Sequence, residues 1–202
     1  MSAIEGKTET APLTWSDFQT LISKLLLDIQ VNKNLSRCRV LIGAAVGTYC
    51  GLRAGDVLAL RWQDLLNHES IVIVEQKTDK HRKITLNPQL QNLVATVYHI
   101  LSSPPADCFI MGSARSKGTD PVSIQYYNRE ISQAFQDYGI TTQNPSSHTF
   151  RKTFGLRVFE SNNRTEEALI VLSQIFNHSS IAITRRYIGI QQQRIADVYL
   201  SI

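Results

Sequence analysis

"SIVIVEQKTDKHRKITL", residues 70–86, decides the fold class of this chain. Ser70–Gln76 is rich in β-branched residues, Arg82–Leu86 reads as a second short strand, and the polar "KTDKH" between them makes a hairpin. Outward from the hairpin the apolar residues recur at helical spacing instead. On the N-terminal side, Thr14 and Asp17 form a partial capping box ahead of "TWSDFQTLISKLLLDIQ". Its apolar stripe is Trp15, Phe18, Leu21, Ile22, Leu25, Leu26 and Ile29. A second helix runs from about Ser36 to a helix-ending Gly51, and a short one follows in "AGDVLAL". On the C-terminal side, Asn87 and Pro88 cap and start "PQLQNLVATVYHIL". "CFIM" after the "SSPPAD" break reads as another short strand, and a helix spans Ser123 to about Tyr138. The last third reads as "SHTFRKTFGLRVFES", "TEEALIVLSQIF", "SIAITRRY" and the tail "QQQRIADVYL", all helical. The expected fold is mainly α with a small antiparallel β-sheet, an α+β class.

Composition narrows the function classes. With 202 residues, 43% hydrophobic and 19% charged, the chain suits one domain with a sizeable core. No apolar run reaches the roughly 18 residues that span a bilayer, and "MSAIEGKTET" lacks the layout of a signal peptide. A cytoplasmic protein without membrane contact is the expectation. Cys38, Cys50 and Cys108 are odd in number and widely spaced, which argues against disulfides and structural zinc and for buried, reduced thiols. Lys and Arg number 21 against 17 Asp and Glu, a net charge of +4 that leans mildly toward a polyanionic partner.

The motifs of metal and nucleotide chemistry are missing: no G-x-x-x-x-G-K-[ST], no H-E-x-x-H, no Gly-rich dinucleotide loop. What remains are basic and imidazole groups in awkward places. Arg53 follows a helix-ending glycine among apolar residues, as either a snorkelling side chain or an anion clamp that Asp56 orients. Lys77 opens the hairpin turn, either solvated or delivering a proton. His148 and Arg151 share a helix face at a helix start, and His178 stands at a helix entry. Tyr187 follows Arg185 and Arg186. As a set, two arginines, a lysine, two histidines and a tyrosine supply the roles of a metal-free phosphodiester transesterification. Guanidiniums hold the non-bridging oxygens, lysine or histidine moves protons, and the phenol stores the bond as a covalent ester.

The order and wording of these residues resemble the catalytic domain of the tyrosine recombinases, the phage integrase family. The matching stretches are "GLRAGDVLALRW" (51–62), "KTDKHRKITL" (77–86), "HTFRKTFG" (148–155) and "LSQIFNHSSIAITRRY" (172–187). The resemblance implies that Arg53, Arg151 and His178 bind the scissile phosphate and that Asp56 supports Arg53. It implies that Lys77 protonates the departing 5′ oxygen and that His148 is the general acid/base toward the nucleophile. Tyr187 would form a 3′-phosphotyrosyl link, with no metal, ATP or other cofactor. It further implies a bacterial or phage protein at the nucleoid, acting on double-stranded DNA with a specific recombination site. The partners implied are a homo-oligomer, a tetrameric synapse, and accessory DNA-bending proteins. The outcome would be integration, excision or inversion, as in mobile elements. The alternatives are a non-catalytic DNA-binding regulator of the same fold and a type IB topoisomerase.

One departure from the family is "FNH" (176–178) where its members usually read Leu-Gly-His; Asn tolerates a left-handed backbone, so the turn should survive. A second is that about 50 residues precede Arg53. The chain is therefore either a minimal single-domain member, like the small invertases, or a fragment of a larger integrase, and Met1 points to the first. The expected organisation is a flexible lead-in over 1–12, a catalytic domain over 13–190, and a tail helix over 191–202 that packs in cis or is exchanged between protomers.

Overall fold

The computed structural model describes residues 9–74, 81–190 and 199–200. Along the chain run helices α1 (Trp15–Asn32), α2 (Leu35–Cys50), α3 (Ala54–Ala59) and α4 (Trp62–Leu65), then strands β1 (Ser70–Val74) and β2 (His81–Thr85). Helices α5 (Pro88–Ile100), α6 (Ile124–Asp137), α7 (Ser147–Ser161), α8 (Glu166–Phe176) and α9 (Ile181–Tyr187) follow. The mainly helical α+β class is the one expected.

Local chemistry explains most boundaries. The Thr14 hydroxyl accepts from the Asp17 amide and caps α1, and Asn87 accepts from the Gln89 amide ahead of Pro88. In the hairpin β1 and β2 pair antiparallel, with Ser70 opposite Thr85 and Val74 opposite His81. Ile71, Ile73 and Ile84 face inward while Val72 and Val74 stay exposed, as a sheet buried on one face requires.

At the centre lies α2, packed by α1, α5, α6 and α7. Its length is buried almost all round, including Arg37 and Arg39. Burying such charges demands partners. Arg37 faces Asp28 at 3.9 Å, Glu130 at 3.8 Å and Asp137, and Arg39 Nε donates to the Gly112 carbonyl at 2.8 Å. The main core forms around α1, α2, α5 and α6. A second, smaller core of Phe159, Ala168, Leu169, Leu172, Phe176 and Ile188 joins the end of α7 to α8 and to the residue after α9. The three cysteines are buried and unbonded to one another.

Several expectations are corrected. "CFIM" is no strand: Phe109 forms an isolated bridge with Arg61, and Ile110 donates to the Leu60 carbonyl at 3.0 Å, a contact too short for a ladder. The helix α4 was not anticipated. Trp15 and Leu26, the half-buried members of the α1 stripe, do pack against the main core as the stripe implies. Residues 9–12, read as part of a loose lead-in, are tied down: the Ala11 amide donates to Gln143 at 3.0 Å, and Thr142 Oγ1 donates to the Pro12 carbonyl at 3.2 Å. Residues 1–8 and most of the tail lie outside the described residues; Tyr199 and Leu200 are helical and exposed. No helix among the described residues is long and apolar enough to cross a membrane.

Candidate active site

Two helix ends meet here. The last carbonyls of a helix have no partner within it and carry partial negative charge, and arginines from three other elements supply the donors. Gly51 ends α2 in the left-handed conformation, φ 62°, which lets Arg53 serve as the N-cap residue of α3. Arg53 Nη2 donates to the Phe176 carbonyl at 3.2 Å. Arg151, on α7 and only 3% exposed, donates to Gly51 O at 2.5 Å and to the same Phe176 carbonyl at 3.4 Å. Its guanidinium also lies over the Phe176 ring, 4.5 Å from the centroid. Arg82, on β2, donates to Cys50 O at 2.8 Å and to Ile175 O at 3.4 Å. The ends of α2 and α8 are thus held together by cations.

Past Phe176, Asn177 closes α8 in the left-handed region, φ 55° and ψ 46°, as expected of an Asn at this turn. The reversal delivers His178. Its Nδ1 hydrogen-bonds Thr184 Oγ1 at 3.0 Å, and Thr184 Oγ1 in turn bonds Ser173 Oγ at 2.7 Å. Thr184 and Tyr187 stand three apart on α9 and share a face. The Tyr187 ring packs 5.3 Å from both Phe176 and His178. Arg53, Arg151, His178 and Tyr187 are therefore brought together from positions 134 residues apart in sequence (187 minus 53). Asp56 is buried in the first turn of α3. His148 is exposed, one turn before Arg151. Lys77 lies outside the described residues.

The electrostatics follow from burial and from the arginines. Burial pushes the Tyr187 phenol up, while the Arg151 charge, its hydrogen bond to the phenol and the Arg53 charge pull the other way. His178 is held below the ordinary imidazole value by burial, then by Arg151 and Arg53. His148, although part of its side chain meets solvent, is lowered first by the partial desolvation of its ring, then by Arg151 and Lys152. Both rings are neutral at pH 7 and able to accept a proton. The arginines next to Tyr187 in sequence act elsewhere: Arg185 reaches Glu166 at 3.5 Å, and Arg186 is exposed.

Sequence reasoning missed Arg82, Ser173, Thr184 and Lys152. The partners of Arg82 are 32 and 93 residues away, so no local pattern announces it. Thr184 lay within the quoted stretch, but only its burial shows that it anchors His178.

The arrangement suits a tetrahedral anion: two forked guanidiniums, an imidazole and a phenol are gathered around the Phe176 carbonyl and ring. Among the described residues no group of three or more His, Cys, Asp or Glu is placed to hold a metal ion.

The phage integrase family model matches residues 11–194. The Bacillus subtilis (strain 168) protein named "Probable integrase/recombinase YoeC" is 33% identical over 154 residues, which cover 76% of this chain and 78% of that protein. The solved structure of XerA recombinase superposes with a TM-score of 0.69 at 20% identity, covering 97% of this chain and 66% of that one. XerH site-specific recombinase, bound to a palindromic difH substrate in a post-cleavage complex, superposes with a TM-score of 0.69 at 16% identity, covering 98% and 55%. The chain thus spans about two thirds or less of both solved relatives.

Proposed function

Because the chain belongs to the phage integrase family, the tyrosine-type site-specific recombinases, we propose that it cuts and rejoins DNA through a 3′-phosphotyrosyl ester on Tyr187. One observation carries the reading: Arg53 and Arg151 converge on a single carbonyl, Phe176 O, beside His178 and Tyr187.

Guanidiniums already gathered by the helix ends need little reorganisation to grip the two non-bridging oxygens of a phosphodiester. Asp56 steadies the first turn of α3 behind Arg53. The phenol oxygen attacks phosphorus, the P–O5′ bond breaks, and the departing 5′ oxygen takes a proton from Lys77. His148, neutral at pH 7, receives the phenol proton. With Nδ1 engaged by Thr184, the remaining His178 nitrogen is left for the phosphate. The ester conserves the bond energy, so attack by a 5′ hydroxyl reverses the step and rejoins DNA without ATP.

In this reading residues 13–190 are the catalytic domain. The partner is double-stranded DNA carrying a specific site, engaged by a homo-oligomer that reaches a tetrameric synapse with accessory DNA-bending proteins. Support comes from the family match and from the fold shared with a recombinase solved on its DNA substrate.

The test is a nicked duplex carrying the cognate site. Wild type should yield an SDS-resistant protein–DNA adduct, and Tyr187→Phe none, with DNA binding retained in a gel-shift assay. An adduct that survives Tyr187→Phe sinks the nucleophile assignment, and relaxation of site-free supercoiled plasmid would point to a topoisomerase instead.

A further inference from the structure

Lys152 is the next residue after Arg151, yet its surroundings are unlike those of a surface lysine. Its side chain is 6% exposed, and its ammonium stands 5.2 Å from the centroid of the Tyr187 ring. A buried ammonium needs a counter-charge, and Glu9 supplies it at 3.1 Å. Glu9 belongs to the strap of residues 9–13. Besides the Ala11 and Pro12 contacts, the Leu13 amide donates to Thr153 Oγ1 at 2.9 Å, and Thr10 Oγ1 bonds Ser146 Oγ, the N-cap group of α7, at 3.2 Å. The strap is thus fastened along α7 and places one carboxylate on the cation that faces Tyr187.

We propose that Lys152, held by Glu9, is a positioning residue for Tyr187: its ammonium fixes the ring and favours the negative charge that the phenol oxygen takes on during attack. A cation over an aromatic face is attracted by the ring's electron-rich centre, and the attraction grows as the phenol ionises. The groups around Tyr187 come from three sides: the cations Arg151 and Lys152 from α7, the latter over the ring, the cation Arg53 at the start of α3, and the neutral His178 from the turn before α9. Where the two arginines grip the helix ends, Lys152 is anchored by the N-terminal strap. The Glu9–Lys152 ion pair therefore links residues 9–13 to the cation over the Tyr187 ring.

The inference rests on Tyr187 as the nucleophile, so the experiment has two separate arms. In the first, the DNA-free 202-residue chain, labelled with ¹³C at the tyrosine ring carbon that bears the oxygen, is titrated by NMR, with Tyr187→Phe assigning the signal. Lys152→Gln should move the Tyr187 midpoint upward, and Lys152→Arg should return it toward wild type. In the second, single-turnover adduct formation on the nicked duplex should slow by about tenfold in Lys152→Gln, with DNA affinity within about twofold of wild type. Lys152→Arg should recover most of that rate.

Glu9 is half-exposed, so Glu9→Gln keeps the fold and provides the test should Lys152→Gln fail to fold; it should shift both readouts in the same directions by less. An unchanged Tyr187 titration in these variants overturns the proposal. So does a rate loss matched by an equal loss of DNA affinity, or one that Lys152→Arg does not restore. An adduct persisting in Tyr187→Phe instead removes the nucleophile reading and leaves the titration arm to decide the contact.

Discussion

Thr184 has neither charge nor nucleophilic power, yet its hydroxyl sits fully buried between Ser173 and His178. Thr184→Val keeps the shape and removes the hydroxyl, so Ser173 loses its buried partner and the imidazole loses its orienting bond. A loss of about 1–3 kcal/mol in stability is expected, read by urea unfolding, together with slower adduct formation and unchanged DNA affinity. Ser173→Ala in the same chain should recover part of the stability, because removing both partners is nearly neutral. It should not recover the rate, since His178 stays unanchored. At this scale Arg53, Arg151, His178 and Tyr187 were legible from residue type and order. Thr184 and Lys152 were not, because an uncharged hydroxyl or a lysine beside an arginine matters only once its burial and neighbours are known.

Among elements, the reversal between α8 and α9 is the joint that sets His178 against Tyr187. Asn177 holds it at φ 55°, a conformation that costs a residue with an ordinary Cβ about 1–2 kcal/mol. Asn177→Ala should lower stability by about 1 kcal/mol, measured by thermal melting, whereas Asn177→Gly should stay within about 0.5 kcal/mol of wild type. An equal loss in both would mean that the Asn side chain, rather than the backbone angle, closes the turn. Caps and turns of this kind, Thr14 with Asp17, Asn87 with Pro88, Asn177, are readable because each acts on residues within one helical turn. "CFIM" was misread for the opposite reason. Its backbone partners are scattered, at residues 60–62 nearly 50 positions upstream and at 118 and 122 downstream, and an apolar tetrapeptide looks the same whether or not a strand waits beside it.

Over the whole molecule, Tyr187 rides on the smaller core and is fastened to the larger one by arginines that grip the end of α8. Small clusters open more readily than large ones. Hydrogen exchange should therefore find the α8 and α9 amides less protected than those of α2. Arg82→Met, which removes the donors to Cys50 O at the end of α2 and to Ile175 O in α8, should raise exchange in α8 and α9 more than in the interior of α2. Uniform acceleration throughout the chain would show instead that Arg82 supports the main core.

The helical class, the hairpin and the ordered set of chemical groups follow from the sequence alone, because periodicity, caps and residue type are local properties. Which carbonyls the arginines grip was decided only in the tertiary structure, as was the imidazole nitrogen Thr184 engages and the cation that faces the Tyr187 ring. Those depend on distances between segments up to 123 residues apart in sequence, and electrostatic and hydrogen-bond energies are set by distance in space and by burial.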